Sequence, residues 1–537
     1  MTENTEGTAR AAVITIESGG TTRTVPFDGP VRIADLLGLH HVSLDLPCGG
    51  RGTCRQCRVA ARGALSPLTQ AERESLTEEE RESGVRLACL TTVEGEARIS
   101  VPEFAAMAVI EAGGDAPDYP LDPPADGYGA AVDIGTTTLV VQLFRLGERE
   151  PLGALCGKNP QSVFGADVIS RIGKAVDGEG EALARAVSRA VDGMLRALCA
   201  RCGVETAAVG SAVVTGNTAM LYLLARESPE PLSHSPFTLT RPFGETLPAS
   251  SLGIACLGET PVFLPRCMSA FVGADITCAV LAGGVLSQPG VTLLVDIGTN
   301  GEMALHVGGV LLCCSTAAGP AFEGAGIRMG VNAVRGAVDG VSLRDGEIVC
   351  STIGNAEPVG ICGSGLIDAV AVLLEAGVID ETGAIQKEDH PFTERVTELD
   401  DGPAVRLTGQ ENSGTAVFLT QEDIRQVQLA KSAVCAGMKT LLAHAGLTAE
   451  RVDRLLVAGG FGRHIRLENA GAIGLIPPEL CGKAQAIGNA AVTGAGMLLQ
   501  NRAFPAETAA FARGAETVEL AANPQFMEYY VEGMPFE

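Results

Sequence analysis

Hydrophobic and polar positions alternate through residues 12–17 (AVITIE) and again through 21–25 (TTRTV), with Gly19 and Gly20 between them. That pattern predicts a β-hairpin. Residues 31–37 (VRIADLL) read as a short helix, and a Gly- and Cys-rich loop at 47–57 leads into a short apolar strand at 58–60. Residues 69–83 form a charged helical stretch, and VRLACLTTV at 85–93 returns to β-like composition. Residues 112–127 (AGGDAPDYPLDPPADG) are rich in Pro, Gly and Asp, which marks a linker. Beyond it the pattern changes to longer α/β units. AAVDIGTTTLVVQLF at 130–144 reads as strand, glycine turn, strand, and LLVDIGTNGEMAL at 293–305 repeats that sequence of elements. Between them Leu183, Val187, Val191, Leu195 and Leu198 recur at helical spacing. A second long helix is expected over 421–445, with Thr420 as its N-cap and Gly446 after its end. LLVAGGFG at 455–462 is another strand running into glycines. The repeated DIGT at 133–136 and 296–299, each after an apolar strand, points to a duplicated architecture with two related lobes.

Composition narrows the classes. At 537 residues and 46% hydrophobic, the chain has material for several packed cores, which argues against disorder or a small disulfide scaffold. The 39 Lys+Arg against 64 Asp+Glu leave a net charge of −25. No basic surplus exists to displace counterions from nucleic acid or to dock on anionic membranes, so neither partner is expected. The amino-terminal residues show no basic, then apolar, secretory pattern. The longest apolar stretch, 269–288, is interrupted by Asp275 and several Gly, so no membrane span is expected. The reading is a cytoplasmic protein, in which the 16 Cys serve as buried small residues unless they hold a metal.

Three of those cysteines lie in PCGGRGTCRQC. Cys48, Cys54 and Cys57 have the spacing C-x5-C-x2-C, and Cys89 follows after 31 further residues. Soft thiolates suit iron–sulfur clusters and zinc. Zinc ribbons usually offer two C-x2-C knuckles, whereas this loop has one, Cys54 and Cys57. The first 103 residues resemble the 2Fe–2S ferredoxin family. The resemblance implies a β-grasp fold and a cluster held by Cys48, Cys54, Cys57 and Cys89. Cys199 and Cys202 also form a C-x2-C, but they end an apolar helix and read as packing residues.

A strand ending in Asp-x-Gly-Thr suits phosphate chemistry: the carboxylate can hold Mg2+ or orient water, and the glycine turn and Thr hydroxyls bring donors to a phosphate. Asp133 with Gly135, Thr136, Thr137 and Thr138 forms one such turn, and Asp296 with Gly298, Thr299, Asn300 and Gly301 the other. One copy alone would be an ordinary turn. Gly459, Gly460 and Gly462 of AGGFG would let a base or ribose lie against the backbone, with a tight strand–helix turn as the alternative. This set resembles the acetate and sugar kinase, Hsp70 and actin superfamily over roughly residues 126–500, which implies two lobes closing on ATP and Mg2+. Further segments that could line the cleft are TGNTAM at 215–220, STAAGPAFEGAGI at 315–327 and ICGSGLID at 361–368. Gly363, Ser364 and Gly365 open a helical pattern whose free N–H groups could bind an anion. Glu323 is a candidate to orient water or a metal, against a purely structural loop carboxylate. Lys431 would reach a phosphate or snorkel to the surface, and His464 reads as structural.

Taken together, CGGRGTCRQC, DIGTTT, VVTGNTAM, AAGPAFEGAGI, ICGSGLID and AGGFG, in this order, resemble the reductive activators of corrinoid proteins. The resemblance implies a 2Fe–2S domain at 1–103, a linker at 104–125, a first actin-like lobe at 126–290 and a second at 291–537. It further implies ATP-dependent reduction of cob(II)amide to cob(I)amide on a partner corrinoid protein of a methyltransferase system, an upstream low-potential electron donor, and a homodimer. An activator of dehydratase type and a non-enzymatic redox sensor remain open alternatives.

Overall fold

The computed structural model describes residues 13–18, 21–40, 42, 44, 52, 57–101, 114, 116–399, 402–409, 416–460 and 464–536. The chain divides into two compact units, Met1–Ala105 and Ala106–Glu537.

In the first unit the expected hairpin is present: Val13–Ser18 pairs antiparallel with Thr21–Pro26, Ser18 opposite Thr21. The sheet runs in the order Thr21–Pro26, Val13–Ser18, Thr92–Ser100, Arg58–Leu65, Val85–Leu87, and Val31–Arg32 also pairs with Thr92–Ser100. Val13–Ser18 lies parallel to Thr92–Ser100, and the remaining pairs are antiparallel. Helix Ile33–Leu39 buries Ile33, Leu36 and Leu37 against Ile14, Ile16, Val59 and Ile99 of the sheet. The charged stretch is two helices rather than one, Gln70–Ser75 and Glu78–Ser83. The reason is local: Thr69/Glu72 and Thr77/Glu80 each build a capping box, and each box starts a new helix.

The second unit contains two six-stranded sheets that share a five-strand order, each with one further edge strand. The first runs Glu245–Pro248, Pro261–Leu264, Val209–Gly216, Tyr128–Ile134, Thr138–Arg145, Pro151–Lys158. The second runs Ala484–Gly488, Arg454–Ala458, Thr292–Ile297, Gly301–Val307, Val310–Thr316, Glu516–Thr517. In each, a DIGT strand heads an antiparallel meander and takes a parallel strand on its other side. Helices Ala274–Ala282 and Ala490–Gln500 share one core with Ala131, Val140 and Val213 of the first sheet and Leu294, Ala304 and Leu456 of the second. A Cβ on Gly494 would lie 2.1 Å from the Cys278 carbonyl oxygen, so these helices meet backbone to backbone.

Both long helices form. Gly180–Cys202 buries Leu183, Val187, Val191, Leu195 and Leu198, and Cys199 packs in the same core. Gln421–His444 starts at Thr420, whose hydroxyl accepts from the Asp423 N–H. Residues 116–125, expected as linker, are tied down. The Asp122 N–H donates to the Gln500 carbonyl, Asn501 donates to the Pro120 carbonyl, and Tyr119 packs on Phe504. Extended Pro-rich chain leaves its carbonyls free to accept from such donors. Among the described residues no helix is long and apolar enough to cross a membrane; the 269–288 stretch contributes the nine-residue helix Ala274–Ala282.

Candidate cluster ligands and nucleotide cleft

Cys57 and Cys89 are both buried, and their sulfurs lie 3.2 Å apart. That is far beyond a disulfide bond of about 2.05 Å. It approaches the roughly 3.7 Å expected between two thiolates on one tetrahedral metal with bonds of about 2.3 Å. The Cys89 N–H points at Cys57 Sγ, 3.5 Å away, and the Ala88 N–H donates to the Cys57 carbonyl. Two convergent thiols with an amide aimed at one sulfur fit a cluster site. Cys48 and Cys54 lie outside the described residues.

In the second unit a cavity of about 390 Å3 is lined by both DIGT turns. Asp133, Gly135, Thr136, Thr137 and Thr138 come from the first, and Asp296, Gly298, Thr299 and Asn300 from the second. Each turn closes on itself, with Gly135 N–H to the Thr138 carbonyl at 3.0 Å and Gly298 N–H to the Asn300 carbonyl at 2.9 Å. A Cβ on Gly135 would meet the Thr138 carbonyl at 2.7 Å, so this turn requires glycine. Buried Asn159 braces the first turn from beneath through the Gly135 and Thr137 carbonyls. Asn217 donates to the Thr136 hydroxyl.

Glu323 joins the two turns. It accepts from the Thr137 hydroxyl on one side, and from the Thr299 hydroxyl (2.6 Å) and N–H (3.2 Å) on the other. The two hydroxyls themselves are 3.3 Å apart. The carboxylate thus sits on donors of both turns.

Further acids face the same cavity. Asp275 enters from the start of helix Ala274–Ala282, Glu302 from strand Gly301–Val307, and Asp339 from strand Ala337–Arg344. Burial pushes the Asp133 carboxyl up to about 7, with Asp275 adding repulsion and Asn489 opposing it. Burial pushes Asp296 up to about 8, helped by Asp275, Asp133 and Glu323, and Asp275 to about 6. Glu302 is raised well above its ordinary range by burial and by Asp275 and Asp296. Among the described lining residues there is no Lys or Arg. A polyphosphate entering such a cleft meets negative charge, which protons on these carboxyls or a cation between the two sets of oxygens would relieve.

Gly459, Gly460 and His464 line the cavity, as do Gly363 and Ser364 at the start of helix Gly363–Glu375. Gly301 and Gly365 do not: the first packs against Thr316 and Val434, the second beneath the Val338 carbonyl. Gly462 lies outside the described residues. Lys431 neither reaches a phosphate nor snorkels. It is 1% exposed, donates to the Pro535 carbonyl and stacks over the Phe536 ring, because the carboxy-terminal residues return to cover its helix. Asn217 comes from the TGNTAM segment expected to line the cleft. Sequence reasoning missed Asp275, Glu302, Asp339 and Asn489. Asp275 had a signal, a lone acid inside an apolar stretch, which reads first as a break in that stretch.

Three family descriptions match the chain: a 2Fe-2S iron-sulfur cluster binding domain at residues 16–94, the RACo middle region at 128–288, and the C-terminal domain of RACo, the ASKHA domain, at 290–537. The chain is 34% identical over 426 residues to the corrinoid activation enzyme RamQ of Eubacterium limosum, covering 76% of this chain and 70% of that protein. It is 25% identical over 450 residues to a [Co(II) methylated amine-specific corrinoid protein] reductase of Methanosarcina barkeri, covering 76% of this chain and 78% of that one. A solved structure, described as a reductive activator for corrinoid,iron-sulfur protein, superposes with a TM-score of 0.74 at 29% identity over 98% of both chains. With a ferredoxin-type unit ahead of a duplicated nucleotide-binding fold, the chain belongs to the RACo family of corrinoid-protein activators.

Proposed function

We propose that this protein is an ATP-dependent reductive activator that passes one electron to cob(II)amide on a corrinoid protein, regenerating cob(I)amide for methyl transfer. The observation that carries the ATP half is the cavity between two DIGT turns, rich in buried and half-buried carboxylates and lacking Lys and Arg among its described lining residues. The electron half rests on the paired sulfurs of Cys57 and Cys89. Cys48, Cys54, Cys57 and Cys89 would hold a 2Fe–2S cluster, which when bound supplies a one-electron carrier.

The chain's own residues do the rest. Thr136, Thr137, Thr138, Thr299 and Asn300 offer hydroxyl, amide and backbone donors to the phosphates of ATP. Asp133 and Asp296, with Asp275 and Glu302 behind them, would hold Mg2+ and balance its charge. The helix start at Gly363 and Ser364 turns backbone N–H groups towards the cavity, and Gly459 and Gly460 leave room for the nucleoside. Glu323 is placed to orient the attacking water once phosphates take over the threonine donors.

The need for ATP follows from the potential gap. For one electron each 59 mV uphill is a tenfold loss in the reduced population. The activator offsets that gap only by gripping the reduced cobalt state more tightly than the oxidised one. Closure of the two turns on ATP supplies this differential grip, and hydrolysis releases it. A homodimer, a cytoplasmic setting and a separate low-potential donor complete the proposal. Asp133→Ala and Asp296→Ala are expected to keep the cluster's visible and EPR spectra and to lose ATP-dependent cob(II)amide reduction. Normal reduction by both variants would refute the ATP-site assignment.

A further inference from the structure

The carboxylate of Glu72 is fully buried in the first unit. Its Oε1 accepts from Arg86 Nε at 2.9 Å, from the Leu87 N–H at 3.0 Å and from the Thr91 hydroxyl at 2.9 Å. Its Oε2 accepts from the Thr69 N–H at 2.9 Å, the Thr69 hydroxyl at 3.0 Å and Arg86 Nη2 at 3.3 Å. Only the bonds to Thr69 belong to the capping box that starts helix Gln70–Ser75. The neighbouring helix provides the comparison. Glu80 completes the same box with Thr77, pairs with Arg58 near the surface, and its side chain remains 31% exposed. The additional bonds of Glu72 are therefore not required to start a helix.

Those bonds reach Leu87 and Thr91, two residues before and two residues after Cys89. The same turn is held on its other side by the Ala88 N–H on the Cys57 carbonyl, the Ala34 N–H on the Ala88 carbonyl and the Ile33 N–H on the Thr91 carbonyl. We infer that Glu72 is a positioning residue for Cys89: it pins both ends of the Leu87–Thr91 turn and so holds Cys89 Sγ against Cys57 Sγ. This rests on the reading of Cys89 as a cluster ligand. A buried anion held by its own donors also contributes a fixed charge to that ligand's surroundings.

The test uses the full chain, reconstituted anaerobically. Glu72→Gln keeps the shape but turns one oxygen into a donor facing donors, and it leaves Arg86 without its counter-charge. The expected result is a cluster lost about tenfold faster to a chelator, with altered EPR g-values. The reduced-to-oxidised ratio at a fixed potential should rise about tenfold, equivalent to about 59 mV. Glu80→Gln, with the same local motif, should change none of these. Thr91→Val should speed cluster loss in the same direction, and Thr91→Ser, which keeps the hydroxyl, should restore the parent rate. These threonine variants decide the matter if Glu72→Gln does not fold. Unchanged chelation rate, EPR and potential in folded Glu72→Gln, or an unchanged rate in Thr91→Val, would overturn the assignment of Glu72. Cys89→Ser tests the underlying reading separately: a parent EPR spectrum in that variant would remove Cys89 from the ligand set.

Discussion

Asp133, Asp275 and Asp296 hold protons that the unfolded chain would release near pH 4, because burial raises their carboxyls to about 7, 6 and 8. Between those values the folded state binds more protons than the unfolded one, so stability falls as pH rises from about 4 towards 8. In the proposed Mg2+ site a divalent cation would replace the protons. Mg2+ should therefore raise Tm more at pH 8 than at pH 6, which a calorimetric titration at the two pH values would measure; an equal rise at both would contradict the cation site. Glu72 behaves in the opposite sense. Burial alone would raise it, but bonds from Arg86, Thr69, Leu87 and Thr91 bring it down to about 2. Its stabilisation is present above about pH 4.5 and is lost as pH falls towards 2. The sequence made Asp133 and Asp296 legible because each heads a glycine turn. Asp275 and Glu302 were not legible in this way. They stand in an apolar helix and an apolar strand, where the pattern reports burial and says nothing of what shares the buried space.

At the scale of elements, the two turns are joined by one loop carboxylate. Glu323→Gln preserves the shape of that junction and removes its charge. ATP hydrolysis should slow at least roughly 100-fold, within the range for a lost general base, while Kd for ATP does not rise. Phosphate release and calorimetric binding separate the two effects; a weakened Kd with unchanged turnover would make Glu323 a purely structural brace. Gly459 has φ +133, and a Cβ there would lie 2.4 Å from the Ile297 carbonyl. Gly459→Ala should accordingly weaken nucleotide binding more than tenfold without touching the EPR signal of the first unit, since the clash falls where two parallel strands meet the cleft. Helix boundaries were legible where capping chemistry wrote them, as at Thr420, which accepts from the Asp423 N–H. Thr420→Ala should cost about 1 kcal/mol in a denaturant titration. Lys431 was misread because its helix face gives no hint of Pro535 and Phe536, more than a hundred residues further along, which cover it.

For the whole molecule, the duplicated sheet order explains why a short sequence repeat carried so much weight. Each DIGT strand has an antiparallel neighbour on one side and a parallel one on the other, and the turns end up facing one cavity. The order of the two units was also legible, since the cysteine loop and the DIGT strands carry unrelated chemistry. What the chain alone does not encode in any local pattern is the partner: recognition of a corrinoid protein belongs to surfaces, and neither periodicity nor metal-ligand spacing describes those. The most direct measurement of the central claim mixes the anaerobically reduced protein with cob(II)amide-bearing corrinoid proteins and follows visible spectra with and without MgATP. The account predicts that cob(I)amide accumulates only with MgATP, in step with oxidation of the protein's iron–sulfur signal. Equal cob(I)amide yields with and without MgATP, or oxidation of the protein with no cob(I)amide formed, would contradict it.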